Sequence, residues 1–218
     1  AWWAGDGAAH VLAFDSNALL LERASGSRPL SEWSRDGNDD DTIRTLCAVA
    51  ARLHAPRCKV PPDLPALAYW FRDLEAAAVS HGGLLIRSAT ALRELLSAEQ
   101  EITVLHGDLH HDNVLDFGAE RGWLAIDPKG LIGERGFDFA TMFLNPDLAD
   151  PSRPVATDPA RFRQRLRLVS ELGELDRRRL LYWLLAWCGL SMVWSADDTA
   201  AAGIAVTVGR FAETELNR

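Results

Sequence analysis

Apolar and polar residues repeat along this chain with two different periods, and each change of period marks an element. Near the start, His10 to Phe14 and Ala18 to Arg23 are short apolar-rich runs on either side of Asp15-Ser16-Asn17, which predicts two strands joined by a turn. Gly5-Asp6-Gly7 lacks both the glycine spacing and the leading strand of a phosphate-binding loop, so it reads as a plain turn. Pro29 to Asp41 is polar and reads as a loop. Leu46, Val49, Ala50 and Leu53 then fall at i, i+3, i+4 and i+7, one apolar stripe on a helix capped by Asp41 or Thr42 and ending at His54. Cys58 to Pro65 carries three prolines and is a connector. Two further helices are predicted over Leu67 to Ser80 and Leu84 to Ser97, divided by His81-Gly82-Gly83. Trp70, Phe71, Leu74, Leu85, Leu92 and Leu95 are their expected core positions.

The period shortens again in the middle of the chain. Val104-Leu105, Val114-Leu115 and Trp123 to Ile126 read as strands, and Gly118 to Gly122 supplies the turn between the last two. That hairpin begins at Asn113 and finishes at Asp127, so antiparallel pairing brings these two side chains to one end, with Asp108 at the same mouth. Lys129 to Gly136 reads as a glycine-punctuated loop, and Phe137-Asp138-Phe139-Ala140 opens a helix. Leu148 to Pro159 reads as a loop. Arg161 to Leu172 is amphipathic, with Phe162, Leu166, Leu168 and Val169 inward and Arg163, Arg165 and Arg167 outward. Leu180 to Trp194 is the most apolar run; it is shorter than the roughly twenty residues a membrane span needs and holds Gly189, which predicts a buried helix. Asp197 to Thr199 caps a last helix over Ala200 to Leu216.

Composition narrows the function classes. The 218 residues carry a formal charge of −8, which argues against a nucleic-acid partner and suits a cationic one. Cys47, Cys58 and Cys188 are odd in number and lack Cys-x-x-Cys spacing, which points to buried or partly buried thiols in a reducing cytoplasm. The first ten residues lack the basic and apolar regions of a signal peptide.

The chemistry concentrates between Thr103 and Ala140. Mg²⁺ takes hard oxygen ligands, one or two from the protein, and Asn113 with Asp127 offers such a pair. Phosphoryl transfer also needs a group that orients the attacking hydroxyl and takes its proton, a role for Asp108. Asp-x-x-x-x-Asn followed by a strand-terminal Asp is the protein-kinase catalytic-loop order. Here it is written His106-Gly107-Asp108, Asn113, Ile126-Asp127-Pro128, followed by IDPKGLIGERGFDFA and Asn145-Pro146. This wording resembles the aminoglycoside phosphotransferase family of small-molecule kinases, and within it the streptomycin 6-kinase and hydroxyurea kinase branch.

The resemblance implies an α+β, protein-kinase-like fold. Its parts would be a mostly helical C-terminal lobe with a small catalytic β-hairpin, and the last strands of a truncated N-terminal lobe. Residues 1–24 would be the remnant of the ATP-binding lobe and hinge, and residues 25–218 the catalytic and substrate-binding lobe. The backbone of Glu22, Arg23 and Ala24 would then meet the adenine edge of ATP, Asp108 would be the catalytic base, and Asn113 and Asp127 would hold Mg²⁺. The resemblance also gives Asp138 the task of bracing the catalytic loop and His54 a structural place. The implied substrate is a small-molecule antibiotic, a streptomycin-like aminoglycoside or hydroxyurea, with no nucleic acid and no membrane as partner. Glu134, Asp147, Asp150, Asp197 and Asp198 are candidate contacts for a cationic substrate, and Lys129 for phosphate or substrate.

A glycine-rich loop and a strand lysine would lie upstream of the hinge, and neither Lys59 nor Lys129 does. Without an initiator Met, truncation is the expected reason. The alternatives are a pseudokinase or isolated binding lobe, and a metal-dependent hydrolase built on His106, Asp108, His110, His111 and Asp112.

Overall fold

The computed structural model describes residues 2–15 and 18–218; two residues of the expected first turn, Ser16 and Asn17, lie outside them. The first hairpin pairs β1 (Val11–Phe14) with β2 (Leu19–Leu21), antiparallel, with Leu12, Phe14, Leu19 and Leu20 exposed. The chain before it docks on the centre of the molecule. Ala8 bridges Ala125 in parallel, with Ala9 N–H donating to the Ala125 carbonyl and Ala125 N–H to that of Gly7, both at 2.9 Å.

The helical mass follows. Pro29 to Asp41 is not a loop: α1 (Leu30–Trp33) runs through a π-helical turn at Ser34–Asn38 into α2 (Asp39–His54). Two features make this possible. Leu30 and Ser31 are buried, and Gly37 takes a positive φ of 94° that absorbs the kink. Asp39 is buried at the start of α2, where Ser34 Oγ donates to it at 2.6 Å, an arrangement that polarity alone does not forecast.

After the proline connector come α3 (Leu67–Trp70), α4 (Arg72–His81) and α5 (Leu84–Ser97), with the Gly82-Gly83 break where expected. Then β3 (Ile102–Leu105) pairs antiparallel with β6 (Leu131–Glu134), and β4 (Val114–Asp116) with β5 (Trp123–Ala125). β6 replaces the expected glycine loop. Leu131 and Gly133 face an existing edge, and a Cβ at Gly133 would collide with Leu67, so the glycine there serves close packing instead of a turn.

α6 (Gly136–Ala140), α7 (Pro159–Leu172), α8 (Arg177–Trp194) and α9 (Thr199–Leu216) complete the chain. α8 is the spine, packing on α9, α5, α6 and α4. Its apolar character follows from that position: Trp183, Leu184, Ala186, Cys188 and Leu190 are fully enclosed. Gly189 does not interrupt it. A side chain there would drive into Ser88, so the glycine lets α5 and α8 approach. Among the described residues no helix is long and apolar enough to cross a membrane.

Arg165 corrects the expected face of α7. It is 1% exposed, and its Nη2 and Nε donate to the two carboxylate oxygens of Asp39 at 2.6 and 2.9 Å. Its Nη1 donates to the Asn145 carbonyl at 2.6 Å. Cys47 and Cys188 are buried thiols, and burial raises Cys47 to about 12. Cys58 is exposed, which the proline-rich connector explains.

Candidate active site

β3 ends in a buried turn that cannot hold itself by strand pairing, and Asp138 of α6 holds it from beneath. Its Oδ2 accepts the His106 N–H at 2.9 Å and its Oδ1 the Gly107 N–H at 2.7 Å. His54 Nε2, at the end of α2, lies 2.8 Å from the same carboxylate. Burial alone would raise the Asp138 carboxyl, but the hydrogen bond and charge of His54 and the bond from Gly107 outweigh it and keep it below its ordinary value. Gly107 has φ 82°, and a Cβ would press on Leu131 and Lys129. The turn therefore requires glycine.

His106 fixes the next layer. Its Nδ1 accepts the Asp108 N–H at 3.2 Å, so the ring proton sits on Nε2, which donates to the Ile126 carbonyl at 2.8 Å. The imidazole thereby ties the loop carrying Asp108 to the strand end carrying Asp127. Burial pulls the ring below its ordinary value, consistent with this neutral state.

Asn113 closes the loop. Its Nδ2 donates to the Asp108 carbonyl at 2.8 Å and to Asp108 Oδ2 at 3.3 Å, and its own carbonyl accepts the Ile126 N–H at 2.9 Å. With the amide nitrogen so engaged, Oδ1 is the atom left to face a cation. Asp127 follows β5 with φ 54°, a left-handed conformation that is uncommon for a residue with a side chain and that clusters at functional sites. Its side chain is 72% exposed. Lys129 joins the two carboxylates, with Nζ 3.0 Å from Asp127 Oδ2 and 3.3 Å from Asp108 Oδ2. Burial works to raise the Asp108 carboxyl, but His110 and Lys129 outweigh it, so Asp108 lies below its ordinary value and is a carboxylate at neutral pH. Two carboxylates, an amide oxygen and one ammonium at a common mouth can hold a hard cation and receive a phosphoryl group.

Two cavities flank this cluster. One of about 680 Å³ lies between the β1–β2 hairpin and Ile126–Pro128, walled by residues such as Ala9, Val11, Ala13 and Leu21. The other, of about 400 Å³, opens over Gly107, Asp108 and Lys129 on the opposite side and is walled by Trp70, Trp187 and Trp194.

Comparison with known proteins matches the chain to a family. The family model described as aminoglycoside/hydroxyurea antibiotic resistance kinase matches residues 1–199. The chain belongs to this kinase family. A streptomycin 3''-kinase of Klebsiella pneumoniae is 52% identical over 197 residues, covering 90% of this chain and 73% of that protein. A streptomycin 6-kinase of Streptomyces griseus is 37% identical over 215 residues, covering 92% of this chain and 66% of that protein. A hydroxyurea phosphotransferase of Kitasatospora aureofaciens is 30% identical, covering 92% and 58%. The chain thus spans between about three fifths and three quarters of these relatives. Among solved structures, a choline/ethanolamine kinase family protein from Mesorhizobium loti superposes with a TM-score of 0.67 at 15% identity over 98% of this chain and 77% of that one. A thermostable mutant of aminoglycoside phosphotransferase APH(4)-Ia, in complex with ADP and hygromycin B, gives 0.65 at 14% identity over 97% and 78%. These likenesses show the protein-kinase-like α+β fold.

Within this kinase fold, the structure assembles Asp108, Asn113, Asp127 and Lys129 at one mouth and leaves the acidic candidates for a cationic substrate elsewhere. Glu22 N–H donates to the His10 carbonyl at 2.9 Å, and its carboxylate accepts from His10 N–H and Arg121. Among the described residues, the backbone groups of Arg23 and Ala24 make no hydrogen bond. Leu21, one residue earlier, lines the larger cavity. Glu134 does not face a substrate; it is buried and bound by Arg179 and Trp183 Nε1. Asp147 is also buried, its oxygens accepting the backbone N–H groups of Val155, Ala156 and Thr157. Asp198 caps α9, and Asp150 bonds Ser152.

The histidines proposed for a hydrolase metal are otherwise committed: His106 is spent on Ile126 and Asp108, His110 lies against Asp108 and Asn113, and His111 is buried with neither ring nitrogen partnered among the described residues. Among the described residues, no group of three or more His, Cys, Asp or Glu could hold a metal ion. Sequence reasoning passed over the tryptophan wall, because Trp70, Trp187 and Trp194 look like core on a helical wheel. A tryptophan at the very end of an apolar helix was the available signal.

Proposed function

We propose that this chain transfers the γ-phosphoryl group of ATP to a hydroxyl of a small-molecule antibiotic, a streptomycin-like aminoglycoside or hydroxyurea, and so confers resistance. The observation that carries the reading is the Asp108–Asn113–Asp127 mouth with Lys129 across it, in a chain of the antibiotic resistance kinase family. The streptomycin kinases and the hydroxyurea phosphotransferase among its relatives support the substrate class.

On this reading residues 1–24 end the nucleotide lobe and hinge, and residues 25–218 form the catalytic and substrate lobe. The larger cavity takes the nucleotide base, next to Glu22, Arg23 and Ala24. Asn113 Oδ1 and the Asp127 carboxylate would hold Mg²⁺, a fit supported by hard oxygen donors on one mouth and by an exposed Asp127. The metal supplies charge neutralisation on the phosphates. Asp108 accepts a hydrogen bond from the acceptor hydroxyl and orients it. As the oxygen–phosphorus bond forms and the bond to ADP breaks, the hydroxyl proton passes to Asp108. Lys129 lies where charge on the transferring group develops. A depressed Asp108 is a weak base, which suits a loose transition state in which the proton moves late. Free, unpaired cysteines agree with a cytoplasmic site of action, where ATP is available.

The test is direct. Protein is incubated with ATP, Mg²⁺ and streptomycin or hydroxyurea, and the antibiotic is followed by mass spectrometry and phosphorus NMR. A product carrying one added phosphoryl group is expected; unmodified antibiotic in both reactions would reject the assignment.

A further inference from the structure

We propose that the cavity over Asp108 holds an organic cation of the acceptor, a guanidinium or alkylammonium group, against indole faces instead of in a nest of carboxylates. The proposal rests on the phosphotransferase reading of Asp108 and concerns how the acceptor is gripped there.

Three observations converge on it. The first is the wall itself. Trp194, at the C-terminal end of α8, is 46% exposed; it meets Trp70 edge-on at 5.2 Å and Trp187 edge-on at 6.0 Å. All three line one cavity of about 400 Å³ together with Asp108. A 46% exposed tryptophan is not there to complete a core. The indole nitrogen of Trp194 donates to Asp73 Oδ2 at 3.3 Å, which anchors a ring that stays largely exposed.

The second is charge. Asp112 lines the same cavity, its residue is exposed, and its carboxylate makes no hydrogen bond or ion pair within the described chain. A free carboxylate in the same cavity as three indoles attracts cations and does nothing for an anion.

The third is elimination. Glu134, Asp147, Asp150 and Asp198 are each engaged by protein partners, and Asp197 is not in the lining of the cavity, so they form no nest for a positively charged acceptor there. Lys129 sits on the Asp127 side of the cavity and is itself held by Asp108 and Asp127. The cation therefore goes to the tryptophan end, away from Lys129. Quaternary and delocalised cations are weakly hydrated, and an indole face is the best aromatic surface for them, contributing about a few-fold to more than ten-fold in affinity as water is excluded.

Streptomycin carries guanidinium groups and an alkylamine, so it serves as probe. Its binding is measured by calorimetry without nucleotide, in parallel with phosphorylation kinetics, for the wild type and for Trp194→Phe and Trp194→Leu. Folding of each variant is checked by its melting temperature. Tetramethylammonium chloride, against sodium chloride of equal ionic strength, serves as a second probe through quenching of indole fluorescence.

The expected result is a graded loss: Trp194→Phe weakens binding about three-fold and Trp194→Leu about ten-fold, with KM rising more than kcat falls. Asp112→Asn weakens binding further in the same background. Tetramethylammonium quenches the wild type and loses that effect in Trp194→Leu. Equal affinity in all folded variants would overturn the proposal even if streptomycin is phosphorylated. Cation binding that tracks Trp194 in a protein that phosphorylates nothing would uphold it and overturn the catalytic reading instead.

Discussion

Asp108 is held by four neighbours, His106, Asn113, His110 and Lys129. Replacing it by Asn keeps the shape and the contact with Asn113 but removes proton acceptance. Asp108→Asn should therefore cost roughly 10²–10⁴ in kcat while nucleotide affinity, read by fluorescence titration, stays close to wild type. Full activity in that variant would remove Asp108 from the chemistry. Lys129→Met removes the ammonium that spans Asp108 and Asp127 and should lower kcat on the order of 10², with part recovered in Lys129→Arg. At this scale the sequence was informative where spacing alone decides geometry. Asn113 and Asp127 had to share an end of the hairpin, and they do. It was silent where one side chain serves the backbone from far away. Asp147 looks like any loop aspartate until the chain folds Val155 to Thr157 onto it.

Helices show the same division. Apolar periodicity located α2, α5, α8 and α9 to within a few residues, because each buries one stripe or, for α8, nearly every face. It failed for α1 and for Arg165. Both are parts of one device: the π-helical turn at Ser34–Asn38 presents Asp39 to the interior, and Arg165 of α7 answers it from the far side of the core. A polar run and a basic face are how such a device looks before folding. Burial acts to raise the Asp39 carboxyl, but the charge and hydrogen bonds of Arg165 reverse that, so the group lies below its ordinary value. Its contribution to stability is present above the unfolded carboxylate value and fades as pH falls through the folded one. Asp39→Asn should destabilise the fold by roughly 3 kcal/mol in urea unfolding at pH 7, because a buried guanidinium is left without its counter-charge. A joint Asp39→Leu, Arg165→Met change should recover most of that loss. Additive losses in the double variant would contradict this account.

The whole molecule titrates around two buried rings. Burial holds His106 below its ordinary value and His111 well below it, the latter with help from the charges of Arg165 and Arg35. A histidine kept neutral on folding takes up a proton on unfolding once pH drops beneath its unfolded value near 6.5. Stability should therefore be level above about pH 7 and decline below it, by up to about 1.4 kcal/mol per pH unit for each ring until the folded values are reached. Denaturation midpoints between pH 5 and 8 check this; a flat profile would show both rings protonating freely in the fold. His111 has no partner at either nitrogen among the described residues, so His111→Phe should leave stability at pH 8 unchanged or raised and should flatten the acid decline, whereas loss of stability at pH 8 would reveal a missing partner.

The double duty of Asp138 has a consequence for how such an enzyme diversifies. The proposed base is held from below, by an aspartate that also joins the end of α2 and is not itself part of the lining of the cavity the tryptophans wall. That wall hangs from the C-terminal half of α8 and from α3. Chemistry and taste are thus mounted on different timbers. A lineage under drug pressure can exchange Trp194 or its neighbours, and with them the compound that is disarmed, without disturbing the machinery that disarms it. Selection for resistance to a new acceptor should accumulate its first changes along that rim.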